Sequence, residues 1–187
     1  MRVILLNGPP RVGKDSIGRV LHNMLIPAAA VTKFAKPLVD YMWRMYGIIP
    51  EDINKDAPHP RLLGRTPREA MIAYSERFCK PLFGQDFFGH QAVSEIQRIA
   101  EMRQSLVVFT DSGFVNEAVP VLQRVGKGNV LQVRISRPGC SFHNDSRSYW
   151  HHDDIGSIEF DNDCESLVKL TDKVKSDLIP EIAKWSA

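Results

Sequence analysis

The sequence has few cysteines, no long apolar run and little excess of either charge. Its three cysteines, Cys79, Cys140 and Cys164, are odd in number and lack metal-ligand spacing, which favours reduced thiols in a cytoplasm. No stretch approaches the roughly 20 apolar residues of a membrane-spanning helix. The apolar run after Arg2 stops at Asn7, so we expect neither a signal peptide nor membrane contact.

The charge balance gives little sign of a polyanionic partner. The formal net charge is only +2 in 187 residues, so no broad basic face for nucleic acid is indicated. Small phosphorylated molecules remain compatible with this balance. At this length, with 43% hydrophobic residues, we expect one domain covering residues 1–187.

Apolar segments alternate between strand-like and helix-like spacing. Buried strands are predicted at 3–6, 29–35, 106–109, 130–135 and 158–160. Helices are predicted from 14, over 38–46, from 66 to about 80, over 86–102 and 114–124, and over a tail 165–185 that Pro180 kinks or ends. This alternation predicts a three-layer α/β fold with a mainly parallel sheet.

The segment between the first predicted strand and helix is a glycine loop. Residues 8–16 (GPPRVGKDS) contain the Gly-x-x-x-x-Gly-Lys core of the Walker A motif. Loop amides and a helix N-terminus present donors to phosphates, and a lysine reaches the β- and γ-phosphates. We therefore expect an ATP-binding loop made of Gly8, Arg11, Val12, Gly13, Lys14, Asp15 and Ser16.

The loop departs from the usual motif at Asp15, where a hydroxyl residue normally follows the lysine and ligates Mg²⁺. Two alternatives are open. Ser16 takes over the metal contact, or Asp15 holds the ion through water. Asp111 is a further candidate for the Mg²⁺ shell or the acceptor, because it follows a predicted buried strand at the edge where open α/β sheets bind ligands.

Several segments, taken in order, resemble the phage deoxynucleoside monophosphate kinases. The residues Lys14-Asp15-Ser16 are similar to that family's Gly-Lys-Asp-Thr loop. The resemblance continues over most of the chain, at 34–38 (FAKPL), 66–69 (TPRE), 109–117 (FTDSGFVNE), 137–139 (RPG), 145–149 (DSRSY) and 162–163 (ND). It implies a P-loop kinase with an acceptor-binding region at about 36–103 and a lid at about 137–152.

One position departs from the resemblance in a way that affects acceptor binding. Gly113 stands where the family's signature has an arginine suited to gripping the monophosphate. Another cation must then hold the acceptor. Arg68 is the first candidate, followed by Arg65 and Arg77. Lys36 and Glu117 are further candidate substrate-binding residues, although an exposed helical acid explains Glu117 equally well.

The polar segment 136–152 carries arginines that suit phosphoryl transfer. Arg137 and Arg147 are expected to spread the charge of the transferring group, with a solvated basic loop as the alternative. His151 and His152 with two following aspartates are interpreted as solvated surface or a lid hinge, because adjacent residues make poor ligand geometry.

The function that follows is ATP-dependent phosphorylation of a deoxynucleoside 5′-monophosphate, with Mg²⁺ and with Lys14, Asp111, Arg137 and Arg147 as catalytic residues. Two alternatives are a P-loop kinase for another small phosphate or a modified base in DNA, and a nucleotide-binding relative without transferase activity. A host-cell cytoplasmic location follows if the protein is phage-encoded. Whether it dimerises is left open.

Overall fold

The computed structural model describes residues 1–25, 28–50, 52–143 and 145–186. Five strands form one sheet: β1 (Arg2–Asn7), β2 (Ala29–Thr32), β3 (Leu106–Phe109), β4 (Val130–Ser136) and β5 (Gly156–Asp161). They lie in the order β2-β3-β1-β4-β5, and every pair is parallel. The predicted α/β fold with a parallel sheet is confirmed, and all five strands were predicted.

The helices follow the predicted order with small changes of boundary. They are α1 (Lys14–Met24), α2 (Lys36–Tyr46), α3 (Pro67–Tyr74), α4 (Lys80–Phe83), α5 (Phe87–Glu101), α6 (Val115–Val125), α7 (Leu167–Lys173) and α8 (Ile179–Ser186). No helix within the described ranges is long and apolar enough to cross a membrane. Positions 51 and 144, inside the ranges expected for the acceptor region and the lid, lie outside the described residues, as do 26, 27 and 187.

The central strand β1 is covered on both faces, which explains its continuous apolar sequence. Its residues Ile4 and Leu6 pack with α1, α7 and α8, whereas Val3 and Leu5 pack with α5 and α6. Alternate residues of a strand point to opposite faces, so both sets must be apolar. The result is three layers, with helices on each side of the sheet.

The helix predicted from Thr66 begins as expected. The Thr66 side chain accepts a hydrogen bond from the Glu69 amide, and the Glu69 carboxylate accepts one from the Thr66 amide, which completes a capping box. The helical path continues beyond the predicted end at Lys80, through a π segment (Ser75–Cys79) and α4 to Phe83.

Pro180 does not end the tail helix, which excludes one of the two predicted alternatives, an end or a kink. A π segment (Val174–Leu178) joins α7 to α8, and the helix runs through Pro180 to Ser186. The other π segment stands in the same relation to Pro81, two residues after its end. Proline collides with the carbonyl four residues before it in an α-helix, and the wider π turn relieves that collision.

The strand predicted over 29–35 is shorter than expected. It ends at Thr32, because the next amides leave the sheet: those of Phe34 and Ala35 donate to the carboxylate of Asp111. This side-chain anchor directs the chain from β2 into α2. The strand ends and the loops that follow them therefore meet at the carboxyl edge of the sheet, where ligands bind in open α/β folds.

Candidate phosphate-binding site

The glycine loop lies at the carboxyl end of β1 and leads directly into α1, as predicted. Gly13 has φ of 101°, a left-handed conformation that favours glycine. A Cβ on Gly8 would lie 2.5 Å from the carbonyl oxygen of Ile135 in β4. Both glycines are therefore required by the backbone path, and the loop amides are available to face an anion at the N-terminus of α1.

Lys14 is folded into the loop. Its Nζ donates to the carbonyl oxygens of Gly8 at 2.5 Å and Pro9 at 2.6 Å, and the residue is 9% exposed. Burial, together with the positive charge of Arg147, lowers the pKa of Lys14 to about 8. The ammonium group is thus held at the mouth of the loop by two carbonyls, contacts that phosphate oxygens can replace.

Asn162, which the sequence analysis named only as part of the resembling segment 162–163, supports the loop from the end of β5. Its Nδ2 donates to the carbonyl oxygen of Val12 at 2.8 Å, and the residue is 1% exposed. A Cβ on Gly13 would lie 2.6 Å from the same Nδ2 atom. The amide therefore fixes the loop backbone immediately before Lys14.

Asp15, the unusual residue of the loop, is bound to the end of β3. It accepts a hydrogen bond from the Thr110 hydroxyl at 2.6 Å, and Lys33 Nζ lies 3.5 Å from the same oxygen. Burial opposes ionisation of Asp15, but the Thr110 bond and the charges of Lys33 and Lys55 outweigh it and lower the pKa of this carboxyl. Asp15 thus holds the loop to the neighbouring strand.

Asp111 lies one residue beyond Thr110 and is used structurally on both oxygens. It accepts from the Phe34 amide at 2.8 Å and from the Ala35 amide at 3.0 Å. Burial raises the pKa of Asp111, although these two hydrogen bonds act in the opposite direction. Its charge also raises the pKa of Lys14, which places the two groups in one electrostatic neighbourhood.

The residues proposed for Mg²⁺ differ in how well they suit the ion. Within the described ranges, the Ser16 hydroxyl makes no side-chain hydrogen bond, and no group of three or more His, Cys, Asp or Glu side chains is arranged to hold a metal. Mg²⁺ usually takes one or two protein ligands and completes its shell with phosphate oxygens and water. Ser16 and Asp15, in the first turn of α1, fit that pattern better than Asp111, whose oxygens already bind two amides.

Arg147 enters the site from the segment between β4 and β5. Its guanidinium is paired with Asp145, through Nε to Oδ1 at 2.8 Å and Nη2 to Oδ2 at 2.6 Å. Its aliphatic stem lies against Gly113, where a Cβ would come within 2.4 Å of Arg147 Cγ and Cδ. The glycine noted in the sequence is therefore covered by an arginine from elsewhere in the chain.

Glu117, in the first turn of α6, is buried and not an exposed helical acid. Only 6% of the residue is exposed. Burial raises the pKa of Glu117 to about 8, and the charge of Asp111 adds to this effect, whereas Lys80 and Arg147 oppose it. Glu117 thus belongs to the same electrostatic neighbourhood as Asp111 and Arg147, and burial raises the pKa of both acids.

Two other predicted cations, Arg68 and Arg137, form contacts outside the group of Lys14, Asp111, Glu117 and Arg147. Arg68 forms an ion pair with Asp56, and its amide donates to the Lys55 carbonyl at 3.0 Å. Because the Lys55 charge lowers the pKa of Asp15, this part of the predicted acceptor region lies near the loop. Arg137 donates to the Cys164 carbonyl at 3.3 Å.

The remaining candidates lie on the surface. Lys36 pairs with Asp40 at 2.6 Å and lines a groove of about 450 Å³ between α2 and α5. Arg77 is exposed and lines a second groove of about the same volume, beside Tyr41 and Tyr74. Arg65 is exposed, as is Arg11 in the loop itself, where its φ is 65°.

Sequence reasoning missed a buried polar network that joins the strand ends. Asn7 Nδ2 donates to the carbonyl oxygens of Ser112 at 2.8 Å and Ser148 at 3.0 Å, and Asn7 Oδ1 accepts from the Trp150 amide at 3.4 Å. Gln132 Nε2 donates to the Trp150 carbonyl at 2.9 Å. The sequence did carry a signal for this network: Asn7 directly follows one largely apolar predicted strand and Gln132 lies within another, and a buried polar side chain needs hydrogen-bond partners.

The two histidines after this network form local surface pairs. His151 lies 3.0 Å from Asp153, and His152 lies 3.7 Å from Asp154. His151 and Asp153 are exposed, which agrees with their interpretation as solvated surface.

Comparison with known proteins gives a structural neighbour and no sequence relative. No family model matches the chain, and no curated protein matches it. Among solved structures it is similar to a sugar kinase from Janibacter sp. HTCC2649 in an unliganded state, with a TM-score of 0.50 and 11% identity over 97% of this chain and 98% of that chain. At this identity the likeness shows the fold alone, which is consistent with the predicted P-loop kinase-like α/β fold.

Proposed function

We propose that this protein transfers the γ-phosphoryl group of ATP to the phosphate of a deoxynucleoside 5′-monophosphate. The observation that carries the proposal is the buried Lys14, held in a glycine loop between β1 and α1, with the Arg147 charge close enough to perturb it. Two cations close together at the carboxyl edge of a parallel sheet suit a site for phosphate groups.

The donor half of the reaction follows from the loop. The loop amides and the N-terminus of α1 bind the ATP phosphates, and Lys14 exchanges its carbonyl contacts for oxygens of the β- and γ-phosphates. The Asn162 amide and the Asp15–Thr110 hydrogen bond fix the loop before ATP arrives. Positioning of this kind lowers the barrier because the reacting groups need little further ordering.

Bound Mg²⁺ supplies positive charge to the phosphates of the donor nucleotide. Ser16 and Asp15 are the residues that would hold it, since both lie in the first turn of α1 beside the loop. Asp111 then acts through the backbone: by binding the Phe34 and Ala35 amides it sets the start of α2, the first helix of the predicted acceptor region.

In the transfer itself, an oxygen of the acceptor phosphate forms a bond to the γ-phosphorus while the bond from that phosphorus to the bridging oxygen of ADP breaks. No covalent enzyme intermediate is needed. Arg147 and Lys14 neutralise charge on the oxygens that surround the transfer, and Arg137 lies on the same segment as Arg147, after β4. The predicted lid (137–152) excludes water when it closes over both nucleotides.

Choice of acceptor rests on the sequence motifs and on charge. The resemblance to the phage kinases names a deoxynucleoside monophosphate, and the net charge of +2 disfavours a substrate within DNA, which calls for a basic channel. The structural neighbour is a sugar kinase, so sugars belong among the acceptors to be compared.

The decisive assay supplies ATP, Mg²⁺ and one acceptor at a time, and follows ADP release. The acceptors are the four deoxynucleoside monophosphates, the four ribonucleoside monophosphates and a set of hexoses. We expect one or two deoxynucleoside monophosphates to accelerate ADP release at least about 100-fold over ATP alone, since a bound acceptor replaces water as the nucleophile. If no monophosphate accelerates ADP release, this function is wrong.

A loop variant tests the donor assignment separately. Lys14→Met removes the ammonium group and keeps much of the buried stem, and we expect a loss of about 100-fold or more in kcat. Arg19→Met, on an exposed position of α1, is the matched control and leaves the rate unchanged. Full activity of the Lys14 variant would refute the donor site while leaving the fold untouched.

A further inference from the structure

We propose that Gly113, Asp145 and Arg147 together form the subsite for the acceptor's phosphate, with Arg147 as the binding cation and the other two as positioning residues. This inference rests on the proposed function and goes beyond it, because it assigns the acceptor phosphate to a residue of the predicted lid. The earlier candidates Arg68, Arg65 and Arg77 are then not needed for that contact.

Gly113 provides the surface on which the arginine lies. The residue is buried, and a Cβ placed on it would lie 2.4 Å from both Cγ and Cδ of Arg147 and 2.8 Å from its Cβ. No real side chain tolerates such distances, so any residue other than glycine displaces the arginine stem. The absence of a side chain at position 113 therefore decides where the guanidinium lies.

Asp145 fixes the orientation of the guanidinium. It accepts hydrogen bonds from the Arg147 amide at 2.9 Å, from Nε at 2.8 Å and from Nη2 at 2.6 Å. This arrangement uses the Nε edge of the planar group and leaves the edge between Nη1 and Nη2 for a second bidentate partner. The Arg147 side chain is 23% exposed, so the group is ordered yet still reachable by a ligand.

The surrounding charges favour a phosphate at this place. The Arg147 charge acts on Lys14, and the charge of Asp111 acts on Arg147. Lys14 and Arg147 repel each other without a ligand, and an anion bound between them relieves that repulsion. Since burial and the Arg147 charge both lower the pKa of Lys14, an anion there also restores the charged lysine.

The position favours the acceptor's phosphate over those of the donor. Donor phosphates are served by the loop amides and Lys14, whereas Arg147 lies over the residue that follows β3. The charges of Arg147 and Lys80 both lower the pKa of Glu117, and Lys80 belongs to the predicted acceptor region. Arg147 thus lies between the donor lysine and the acceptor region, where an acceptor phosphate must sit to reach the γ-phosphorus.

The test compares Michaelis constants for the two substrates in three variants. Arg147→Gln removes the cation, and we expect kcat/KM for the monophosphate to fall about 10- to 100-fold, the range for a lost charged bidentate contact, while KM for ATP changes less than about threefold. Gly113→Ala is expected to give a fall of about tenfold, since the added carbon displaces the same arginine. Gly128→Ala is the matched control, because a Cβ there meets nothing within 4 Å, and it leaves both constants unchanged.

A double variant separates this arrangement from general damage. If Gly113 acts only through Arg147, adding Gly113→Ala to Arg147→Gln causes no further fall. Additive losses overturn the role of Gly113. If Arg147→Gln changes only the KM for ATP, Arg147 belongs to the donor site and the subsite is overturned. The subsite is also overturned if the wild-type enzyme is active and Arg147→Gln leaves its kinetic constants unchanged.

Binding measurements distinguish failure of the subsite from failure of the proposed function. Calorimetry with deoxynucleoside monophosphates and without ATP needs no turnover. If the wild-type chain binds a monophosphate but transfers nothing, and Arg147→Gln abolishes binding, the subsite holds and the kinase function fails. If the wild-type chain binds no monophosphate, the subsite is overturned. Near-ultraviolet circular dichroism of each variant verifies that it folds.

Discussion

Glu117 offers the sharpest prediction, because a buried acid makes folding depend on pH. We consider the variant Glu117→Gln, which keeps the shape of the side chain and removes its proton equilibrium. Burial and the Asp111 charge raise the pKa of Glu117 from 4.5 to about 8. That displacement corresponds to a ceiling of about 5 kcal/mol. The amides at the start of α6 favour the ionised form by up to about 1 kcal/mol, so we expect about 3 to 4 kcal/mol in practice.

The direction follows from which state releases its proton first. Above pH 4.5 the unfolded chain loses the Glu117 proton, while the folded protein keeps it until about pH 8. The stability associated with this group is therefore complete below pH 4.5 and is lost as the pH rises to 8. A glutamine has no proton to lose, so its contribution to stability does not change with pH. We therefore expect the free energy of unfolding of the variant to rise relative to that of the wild type by about 1 kcal/mol per pH unit between pH 5 and 8, and then to level off.

Urea unfolding followed by circular dichroism at half-unit steps from pH 5 to 9 measures this difference directly. Subtracting the variant from the wild type removes the titration of shared groups that do not interact with Glu117; the Asp111 charge acts on Glu117, so the measured difference includes that interaction. Glu101→Gln, at the exposed end of α5, is the matched control and should show a flat difference. A flat difference for Glu117→Gln as well would refute the assignment of a buried, protonated acid at this position.

Three further predictions concern the loop and its supports. Because the pKa of Lys14 is about 8, the lysine loses its positive charge above pH 8. The dissociation constant for ADP, measured by calorimetry without metal, should then rise by up to about tenfold per pH unit. A dissociation constant that does not change with pH would contradict this. Asn162→Ala leaves the buried Val12 carbonyl without its donor. We expect a loss of about 1 to 3 kcal/mol in the free energy of unfolding together with weaker ADP binding. An unchanged ADP affinity would refute the role of Asn162 in supporting the loop. Thr110→Val removes the hydroxyl donor to Asp15 and should cost about 1 kcal/mol at pH 7. The difference should shrink as the pH falls through the pKa of the folded Asp15 carboxyl, which lies below 3.8; urea unfolding at pH 7 and at decreasing pH below 4 measures it.

The parts of the fold that the sequence predicted are those set by local chemistry. The apolar run before Gly8, the loop and the face of α1 each carry their own signal, and so does the capping box at Thr66. The passage of the tail helix through Pro180 was not predictable in the same way. It depends on a π segment that is stabilised by packing of Val174 and Leu178 against the sheet, not by a local motif.

The site was predictable residue by residue but not as an arrangement. Lys14 and Asp111 were placed by their position after predicted strands, a rule that depends only on sheet topology. The contact of Arg147 with Gly113 joins residues 34 positions apart, and no spacing rule links them. Glu117 was undecided because burial of a helical acid depends on what packs over it. Only the fold brings Asp111, Arg147 and Lys80 close to Glu117.

The network around Asn7 has a consequence for the thermodynamics of ligand binding. One amide side chain, at the last residue of β1, holds the backbone beside Gly113 and the backbone beside Arg147 at the same time. The glycine loop begins at the next residue, so one side chain ties together the bases of the three segments that we propose bind phosphate. If the proposed function is right, most of the entropy lost in assembling this site is lost when the chain folds, and a nucleotide that binds later has only its own motion and a few side chains to order.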